Sequence, residues 1–371
     1  MTETSASAVG HTAEPSREEV VLERIEAFRR RRPRLLDDYI NSAHGAGGKA
    51  SAALIDAVFL EAFRNDTLAP MADGALLALP SGERLAFSTD SFVVKPRRFP
   101  GGSVGHLAVH GTVNDVAMMG ARPQWVSAAF ILEDGFPIAE LRSIVADMAE
   151  AAATAGVQVV TGDTKTVDKG AADGLYINTA GVGVVPASVR LDARSVRPGD
   201  RILVSGYIGD HGVAVMLARG ELGIEADLAS DTAPLGGLAE ALLAAAPATR
   251  WLRDPTRGGV ATVCNELARA AEVHVVLQES ALPVRGVVNG ACEILGIDPL
   301  YVANEGKLVA VVPPEEADAA LAAMRAHPLG TNAAIIGEVR EEPTGIVIIN
   351  TGFGGNRIVD MLVGDPLPRI C

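Results

Sequence analysis

The stretch Arg84-Leu-Ala-Phe-Ser-Thr-Asp-Ser-Phe-Val-Val94 predicts a β-strand that delivers Asp90. A glycine-rich turn follows, and Ser103 is a suitable N-cap for a helix that runs through Met118 and stops near Gly120. A strand followed by a capped helix is the basic unit of an α/β fold. This stretch therefore predicts an α/β architecture for the first half of the chain.

The same alternation continues to the C-terminus. A turn at 197–200 predicts a boundary between two domains. We expect a low-order leader over 1–40, a first domain over 41–196, a second over 197–350 and a tail over 351–371. The further predicted strands are 125–132, 156–160, 175–185, 201–205, 307–312, 333–338 and 345–350, and the further predicted helices are 18–30, 137–155, 260–271 and 314–326.

Composition excludes several classes of function. The chain has 371 residues and a formal net charge of −14, which disfavours binding to nucleic acid phosphates. No apolar run reaches the roughly 18 to 20 residues of a membrane-spanning helix, and the N-terminus lacks the apolar core of a secretory signal. We expect a cytoplasmic protein with neither a nucleic acid nor a membrane as partner.

Four aspartates lie beside small residues at predicted loop or helix-start positions: Asp90, Asp115, Asp163 and Asp254. Magnesium prefers hard oxygen ligands and shares its shell with substrate phosphates, so loop-borne carboxylates suit a nucleotide site. Lys165 follows Asp163 closely and would neutralise phosphate charge or transfer a proton. Each aspartate alone is more often a cap or turn residue, and it is the combination with glycine loops that favours a nucleotide site.

The segment His44-Gly-Ala-Gly-Gly-Lys49 precedes a helical pattern. Bare backbone N–H groups at a helix start favour an anion, so Gly45, Gly47, Gly48 and Lys49 are candidates to bind ATP phosphates. Ala43 and Ala50 stand where a Walker A loop needs glycine and serine or threonine. The loop is therefore either a phosphate cradle or a hinge.

The chain ends in a cysteine. Cys264 and Cys292 lie in apolar helical contexts and are expected to be buried small hydrophobes. Cys371 is the last residue of a tail with Gly352, Gly354 and Gly355 at its root and Pro366 and Pro368 near its end, which suits a reactive thiol on a flexible tail.

These motifs together resemble the HypE family of hydrogenase maturation proteins, within the ATP-binding superfamily of aminoimidazole ribonucleotide synthetase and selenophosphate synthetase. The likeness covers roughly residues 41–371, and the C-terminal motif distinguishes this family within the superfamily. The segments that carry it are Ser88-Thr-Asp-Ser-Phe92, Thr112-Val-Asn-Asp-Val-Ala117, Thr161-Gly-Asp-Thr-Lys165, Asp254-Pro-Thr-Arg-Gly-Gly259, Ala303-Asn-Glu-Gly-Lys307 and Pro368-Arg-Ile-Cys371.

The resemblance implies a two-domain PurM-like fold of α/β (α+β) class. The N-terminal domains of two copies would form a central β-barrel in a homodimer, with the C-terminal α/β domain alongside. Cys371 would receive a carbamoyl group from the carbamoyltransferase HypF. ATP and Mg²⁺ would then drive its dehydration to a thiocyanate, which a HypC–HypD iron scaffold would accept as a cyanide ligand for [NiFe]-hydrogenase.

The resemblance also assigns roles to residues. Asp90, Asp115, Asp163 and Asp254 would bind metal and nucleotide, Asn114 would bind nucleotide, and Cys371 would carry the substrate. Glu305 and Lys165 are both candidates for the catalytic base.

Two other functions remain open from the residues. A small-molecule synthetase or kinase of the same superfamily would have no use for Cys371. A binding module would use ATP only to gate a cysteine-tailed scaffold. Loss of Cys371 separates these alternatives, because a small-molecule synthetase would not be affected by it.

Overall fold

The computed structural model describes residues 34–220, 223, 226–362 and 364. The predicted helix at 18–30 and Cys371 lie outside these residues. Two β-sheets organise the described chain into two lobes, one built on a five-stranded sheet and one on a seven-stranded sheet. No helix of the described residues combines the length and the apolar character needed to cross a membrane.

The first lobe is built on the five-stranded sheet, with the strand order β1-β2-β7-β5-β6. Only β5 and β6 run parallel, because a helix connects them. A two-stranded ribbon, β3 and β4, lies outside this sheet. The strands are β1 (Ala75–Ala78), β2 (Arg84–Phe92), β3 (Arg98–Phe99), β4 (Gly102–Ser103), β5 (Arg122–Glu133), β6 (Gln158–Val167) and β7 (Leu175–Val185).

Four helices belong to the first half of the chain: α1 (Lys49–Leu54), α2 (Leu60–Phe63), α3 (Val104–Met118) and α4 (Ile138–Ala155). A π-turn joins α1 to α2, and a 3₁₀ turn precedes α1. Ser103 caps α3 by accepting a hydrogen bond from the N–H of Gly105, as the sequence predicts. Gly156 ends α4 with a φ of 70°, a conformation that favours glycine.

The two faces of the five-stranded sheet differ. Its covered face packs on α3 and contributes Ala86, Phe92 and Ile177 to the core. Its other face exposes Phe87, Trp125 and other apolar side chains to between about two fifths and three fifths of their area. The described residues form no closed barrel, so the barrel predicted for this domain is not seen within one chain.

The second lobe is built on the seven-stranded sheet, with the strand order β14-β13-β10-β12-β8-β11-β9. Its central strands are buried on both faces, and separate apolar clusters fill the two sides. The strands are β8 (Arg201–Val204), β9 (Trp251–Arg253), β10 (His274–Gln278), β11 (Val309–Val312), β12 (Ala334–Arg340), β13 (Ile346–Asn350) and β14 (Asn356–Ile358).

Five helices cover this sheet: α5 (Asp210–Arg219), α6 (Gly236–Ala245), α7 (Gly259–Ala270), α8 (Gly286–Leu295) and α9 (Ala317–Ala326). The strands and helices predicted for this half are confirmed to within a few residues. The sequence reading missed α6, α8 and strands β9, β10 and β14. Short 3₁₀ turns complete the lobe at Ala193–Ser195, Glu279–Ala281, Pro299–Tyr301, Pro314–Glu316 and Pro328–Gly330.

Candidate functional site

Three carboxylates meet at the boundary of the two lobes. Asp73 precedes β1, Asp115 lies in the last turn of α3, and Asp254 directly follows β9. One carboxylate oxygen from each lies within 4.8 Å of the others. Oxygen ligands at this spacing match what a divalent cation requires. We call Asp73, Asp115 and Asp254 the carboxylate cluster.

The carboxylate cluster stores like-charge repulsion. Burial raises the pKa of Asp115 and of Asp254 well above the usual range. The charges of Asp254 and Asp73 raise the pKa of Asp115 further, and the charge of Asp73 raises that of Asp254. Burial also raises the pKa of Asp73 to about 6, although the Arg253 guanidinium opposes this shift. A cation bound between these groups would relieve the repulsion, so their residue types and placement fit Mg²⁺.

Ser88 of β2 ties two members of the cluster together. Its Oγ lies 2.6 Å from Asp115 Oδ2 and 2.8 Å from the carbonyl oxygen of Asp73. One hydroxyl hydrogen serves only one acceptor at a time. Donation to Asp115 would stabilise its carboxylate, so this contact opposes the rise in the pKa of Asp115 that burial causes.

Arg253 forms ion pairs with one member of the cluster and with a neighbouring glutamate. Its Nε lies 2.7 Å from Asp73 Oδ1, and its Nη2 lies 3.0 Å from Glu266 Oε2. The sequence reading missed both Asp73 and Arg253. Arg253 is adjacent to Asp254 in a recognised motif, but the sequence around Asp73 carries no distinguishing pattern.

Glu305 and Asp90 lie in the electric field of the cluster. Glu305 is 4% exposed; burial raises its pKa well above the usual range, and the charge of Asp254 raises it further. Burial also raises the pKa of Asp90, and the Arg257 guanidinium opposes this. A buried carboxyl group with a raised pKa is a stronger base than a free carboxylate, which suits it to proton transfer.

The Asn114 side chain makes hydrogen bonds that connect the two lobes. Its Nδ2 donates to the carbonyl oxygens of Ala233 at 3.0 Å and Glu305 at 3.3 Å, and its Oδ1 accepts from the N–H of Leu235 at 2.7 Å. The side chain therefore fixes the segment that carries Glu305 against α3. Its predicted contact with nucleotide stays a prediction.

The glycine loop lies against the site and against the root of the tail. Gly47 has a φ of 77°, and a Cβ there would lie 2.9 Å from Arg257 Cβ. A Cβ on Gly48 would lie 2.4 Å from the carbonyl oxygen of Leu362, and that oxygen accepts the N–H of Lys49 at 2.9 Å. Arg257 Nη1 donates to the Gly45 carbonyl oxygen at 3.0 Å. The glycines thus permit a close approach between the loop, Arg257 and the tail.

The root of the tail, residues 359–362, is fixed by side chains. Lys49 Nζ pairs with Asp360 Oδ2 at 2.7 Å. The Tyr301 hydroxyl donates to the Asp360 carbonyl oxygen at 2.8 Å, and Asn265 Nδ2 donates to the Val359 carbonyl oxygen at 3.0 Å. The segment that leads to Cys371 therefore starts beside the glycine loop.

Asp163 and Lys165 lie inside β6, so the loop expected there is wrong; Asp90 likewise lies in β2 and Asp115 near the end of α3. Asp163 and Lys165 are exposed, and Lys165 Nζ is 3.8 Å from Asp163 Oδ2. Strand β6 is three strand spacings, about 14 Å, from β2.

The register also puts this pair on the open face of the sheet. Asp163 of β6 is paired with Ala129 of β5, Ala129 with Asn178 of β7, and Asn178 with Ser91 of β2. Asp163 therefore lies on the same face of the sheet as Ser91, which is opposite to the face on which Asp90 lies. Within one chain the structure does not bring Asp163 and Lys165 to the carboxylate cluster.

The two described cysteines are buried. Burial raises the pKa of the Cys264 thiol to about 12 and that of Cys292 to about 11. Both are therefore poor nucleophiles, which confirms their expected role as small apolar residues.

The fold and site define a class of protein. Residues 71–185 match the family model "AIR synthase related protein, N-terminal domain", and residues 197–350 match "AIR synthase related protein, C-terminal domain". The two-domain PurM-like fold predicted from the sequence is confirmed.

Relatives within this class are considerably closer. The chain is 54% identical to carbamoyl dehydratase HypE from Cupriavidus necator, over 90% of this chain and 95% of that protein. It is 48% identical to the same enzyme from Escherichia coli K12, over 90% of this chain and 99% of that protein. The chain belongs to the HypE family of carbamoyl dehydratases, enzymes of hydrogenase maturation, which confirms the resemblance.

Solved structures of the family have the same fold. A HypE–HypF complex matches with a TM-score of 0.79 and 49% identity, over 84% of this chain and all of that one. The hydrogenase maturation protein HypE in complex with ATP matches with a TM-score of 0.75 and 46% identity, over 90% of this chain and all of that one.

Proposed function

We propose that this protein uses ATP to dehydrate a carbamoyl group carried on the Cys371 thiol, yielding a protein-bound thiocyanate. The observation that carries the proposal is the carboxylate cluster at the lobe boundary with buried Glu305 beside it. The family's activity and the ATP complex of a relative support it. The product would supply cyanide ligands for the iron of [NiFe]-hydrogenase.

The carboxylate cluster would hold Mg²⁺. The charge of Asp90 acts on Asp115, so Asp90 would also help to hold the ion. The ion would supply charge neutralisation for the triphosphate. In our proposal the ATP phosphates bind to the glycine loop, at Gly45, Gly47, Gly48 and Lys49. Since Lys49 is paired with Asp360, its contribution would be to position the loop and the tail together.

The reaction balances with groups of this chain. Transfer of the γ-phosphoryl group to the carbamoyl oxygen, with loss of one N–H proton, gives an S-bound imidate phosphate. Cleavage of the C–O bond with loss of the second N–H proton releases phosphate and leaves the S–C≡N group. Glu305 is our candidate to accept a proton, because burial and nearby carboxylates raise its pKa and so make its carboxylate a stronger base.

The position of the tail root supports delivery of Cys371 to this site. Residue 362 contacts the glycine loop, and an extended chain from there to Cys371 reaches about 30 Å. This length allows the thiol to leave for loading and to return for dehydration.

A second copy of the chain would cover the open face of the five-stranded sheet. Exposed Phe87, Trp125 and Ile131 on that face favour burial against an apolar partner. In our proposal two such sheets complete a β-barrel in a homodimer. Asp163 and Lys165, which one chain leaves on this face, would then act at the site of the partner subunit.

The partners follow from the reaction. The complex of a relative with HypF supports HypF as the carbamoyl donor for this chain. A HypC–HypD iron scaffold would accept the cyano group. A thiol that must stay reduced between cycles fits the cytoplasm.

The test is intact mass spectrometry after incubation with the carbamoyltransferase, carbamoyl phosphate, ATP and Mg²⁺. We expect a carbamoyl adduct that loses one water only when ATP is hydrolysed, and no adduct on Cys371→Ala. Cys292→Ala is the matched control and should load like the wild type. No adduct on the wild type in the presence of active transferase would refute the proposal and favour a small-molecule synthetase.

A further inference from the structure

A cavity of about 370 Å³ in the second lobe has no role in the reaction described above. It lies between the loop that follows β8, the segment 227–231 and the turn at 328–332. Its charged lining consists of three carboxylates, Asp210, Asp227 and Asp231, and two cations, Arg285 and Lys307. The formal balance is one negative charge.

Asp210 at the start of α5 has an unused hydrogen-bonding atom. Its side chain is 6% exposed, and Arg285 Nε lies 2.9 Å from its Oδ2. Its Oδ1 is buried and has no hydrogen-bond partner among the described residues. A buried carboxylate oxygen without a donor is costly, which points to a donor that the cavity receives from elsewhere.

The two cations of the cavity are already engaged. The Arg285 guanidinium stacks 4.1 Å from the Tyr207 ring centroid while it pairs with Asp210. Lys307 Nζ lies 3.1 Å from Asp231 Oδ2 and donates to the Gly306 carbonyl oxygen at 3.0 Å. The cavity therefore favours one further cationic N–H donor rather than an anion.

The cavity adjoins the proposed base. Asp231 Oδ1 accepts the backbone N–H of Glu305 at 3.0 Å, and the charge of Asp231 contributes to the raised pKa of Glu305. A group bound in the cavity is therefore held next to the residue that faces the reacting atoms.

We propose that this cavity receives the guanidinium of Arg369 when the tail enters the site, so that Arg369 positions Cys371 for dehydration. The inference rests on the proposed function and names Arg369 as a positioning residue. Residues 363–371 contain one cation, Arg369, which complements the single excess negative charge of the cavity.

The length of the tail sets how far Arg369 and Cys371 can reach. Arg369 is seven residues beyond Leu362, a reach of about 23 Å in extended conformation. Cys371 is two residues further, about 7 Å along the chain, so a guanidinium anchored beside Asp231 leaves the thiol within reach of Glu305. A planar guanidinium also offers several donors, which suits the Asp210 Oδ1 and its neighbours.

The experiment uses full-length protein whose Cys371 already carries the carbamoyl group, so that recognition by the transferase does not enter. ATP and Mg²⁺ start a single turnover, and intact mass follows the loss of water. We expect Arg369→Gln to slow this step about ten- to hundredfold with unchanged ATP binding, and Arg369→Lys to slow it less. Arg194→Gln, at an exposed arginine, is the control and should react like the wild type.

A double-mutant cycle tests the contact itself. Asp210→Asn should also slow dehydration, and the combined variant should be no slower than the slower single variant, because both remove one interaction. Added salt should slow the wild type but not Arg369→Gln. If Asp210→Asn fails to fold, Asp227→Asn takes its place in the cycle.

Two results would overturn the inference: Arg369→Gln reacting at the wild-type rate, or multiplicative effects of the two substitutions. Either would leave the proposed function intact. Failure of the wild type to lose water would instead refute the proposed function, so the two failures are distinguishable.

Discussion

Two groups of charged side chains in this molecule differ in almost every physical respect. The carboxylate cluster of Asp73, Asp115 and Asp254 is enclosed where the lobes meet, and the charge of Asp73 raises the pKa of both other members. Asp163 and Lys165 stand exposed on an edge strand and pair with each other. One chain therefore gathers three carboxylates that suit a cation, but leaves the second charged group of the same family motifs on the uncovered face of β6, a strand about 14 Å from β2.

The largest expected effect concerns the carboxylate cluster. Asp254→Asn should lower the rate of ATP-driven dehydration by about a thousandfold, because it removes a ligand and a charge from the proposed metal site. Single-turnover mass spectrometry of carbamoylated protein measures this rate. The matched control is Asp318→Asn, an exposed aspartate on α9, and a similar rate for the two variants would remove Asp254 from the site.

A somewhat smaller loss is expected at Glu305. Glu305→Gln keeps the shape and the hydrogen-bonding size of the side chain but cannot accept a proton, so dehydration should fall by about a hundredfold or more. ATP affinity, measured by calorimetry, should change little. Exposed Glu315→Gln serves as control, and dehydration at near-wild-type rate in Glu305→Gln would mean that another group takes the proton.

A smaller effect concerns the stability of the protein, on which the carboxylate cluster and the exposed pair of Asp163 and Lys165 should act differently. The pKa of Asp73 is raised in the folded state, so its contribution to stability is present below its unfolded value of 3.8 and is lost as pH rises through about 6. Metal-free protein should therefore become less stable as pH rises from about 4 to about 6. Mg²⁺ replaces the lost protons and should raise the melting temperature by about 2 °C to 5 °C at pH 8, and by less at pH 5.5.

Differential scanning calorimetry at both pH values makes this measurement. Asp73→Asn should reduce the pH dependence and weaken the gain from Mg²⁺, whereas Asp163→Asn should leave the stability of the isolated chain unchanged. An equal gain from Mg²⁺ at both pH values would show that the cation binds elsewhere.

Local features of the sequence predicted much of the fold. The helix Val104–Met118 and the helix Ile138–Ala155 were predictable because a capping serine and a terminal glycine act within a few residues. Strand Leu175–Val185 was predicted with its observed bounds. The motifs also selected Asp115, Asp254 and Glu305, which the fold brings into one electrostatic environment.

The features that could not be predicted from the sequence depend on contacts between segments that are far apart in the chain. Asp73 joins Asp254 because the segment that precedes β1 contacts Arg253 of β9, and nothing near Asp73 in the sequence indicates this. The contact of Gly48 with Leu362 spans most of the chain. Asp163 was expected in a loop, but pairing with β5 continues β6 past it to Val167. Tertiary pairing decided these positions, and local propensity did not.

We propose that the exposed pair of Asp163 and Lys165 in one chain completes the carboxylate cluster of another. Mixed dimers of Lys165→Ala and Asp254→Asn chains test it most directly, since each parent variant alone should be inactive. With sites shared between chains, one site of a mixed dimer carries both substitutions and the other carries neither. Tag-selected mixed dimers should then recover about half of the wild-type dehydration activity. Mixed dimers as inactive as both parents, or an active Lys165→Ala parent, would contradict the claim.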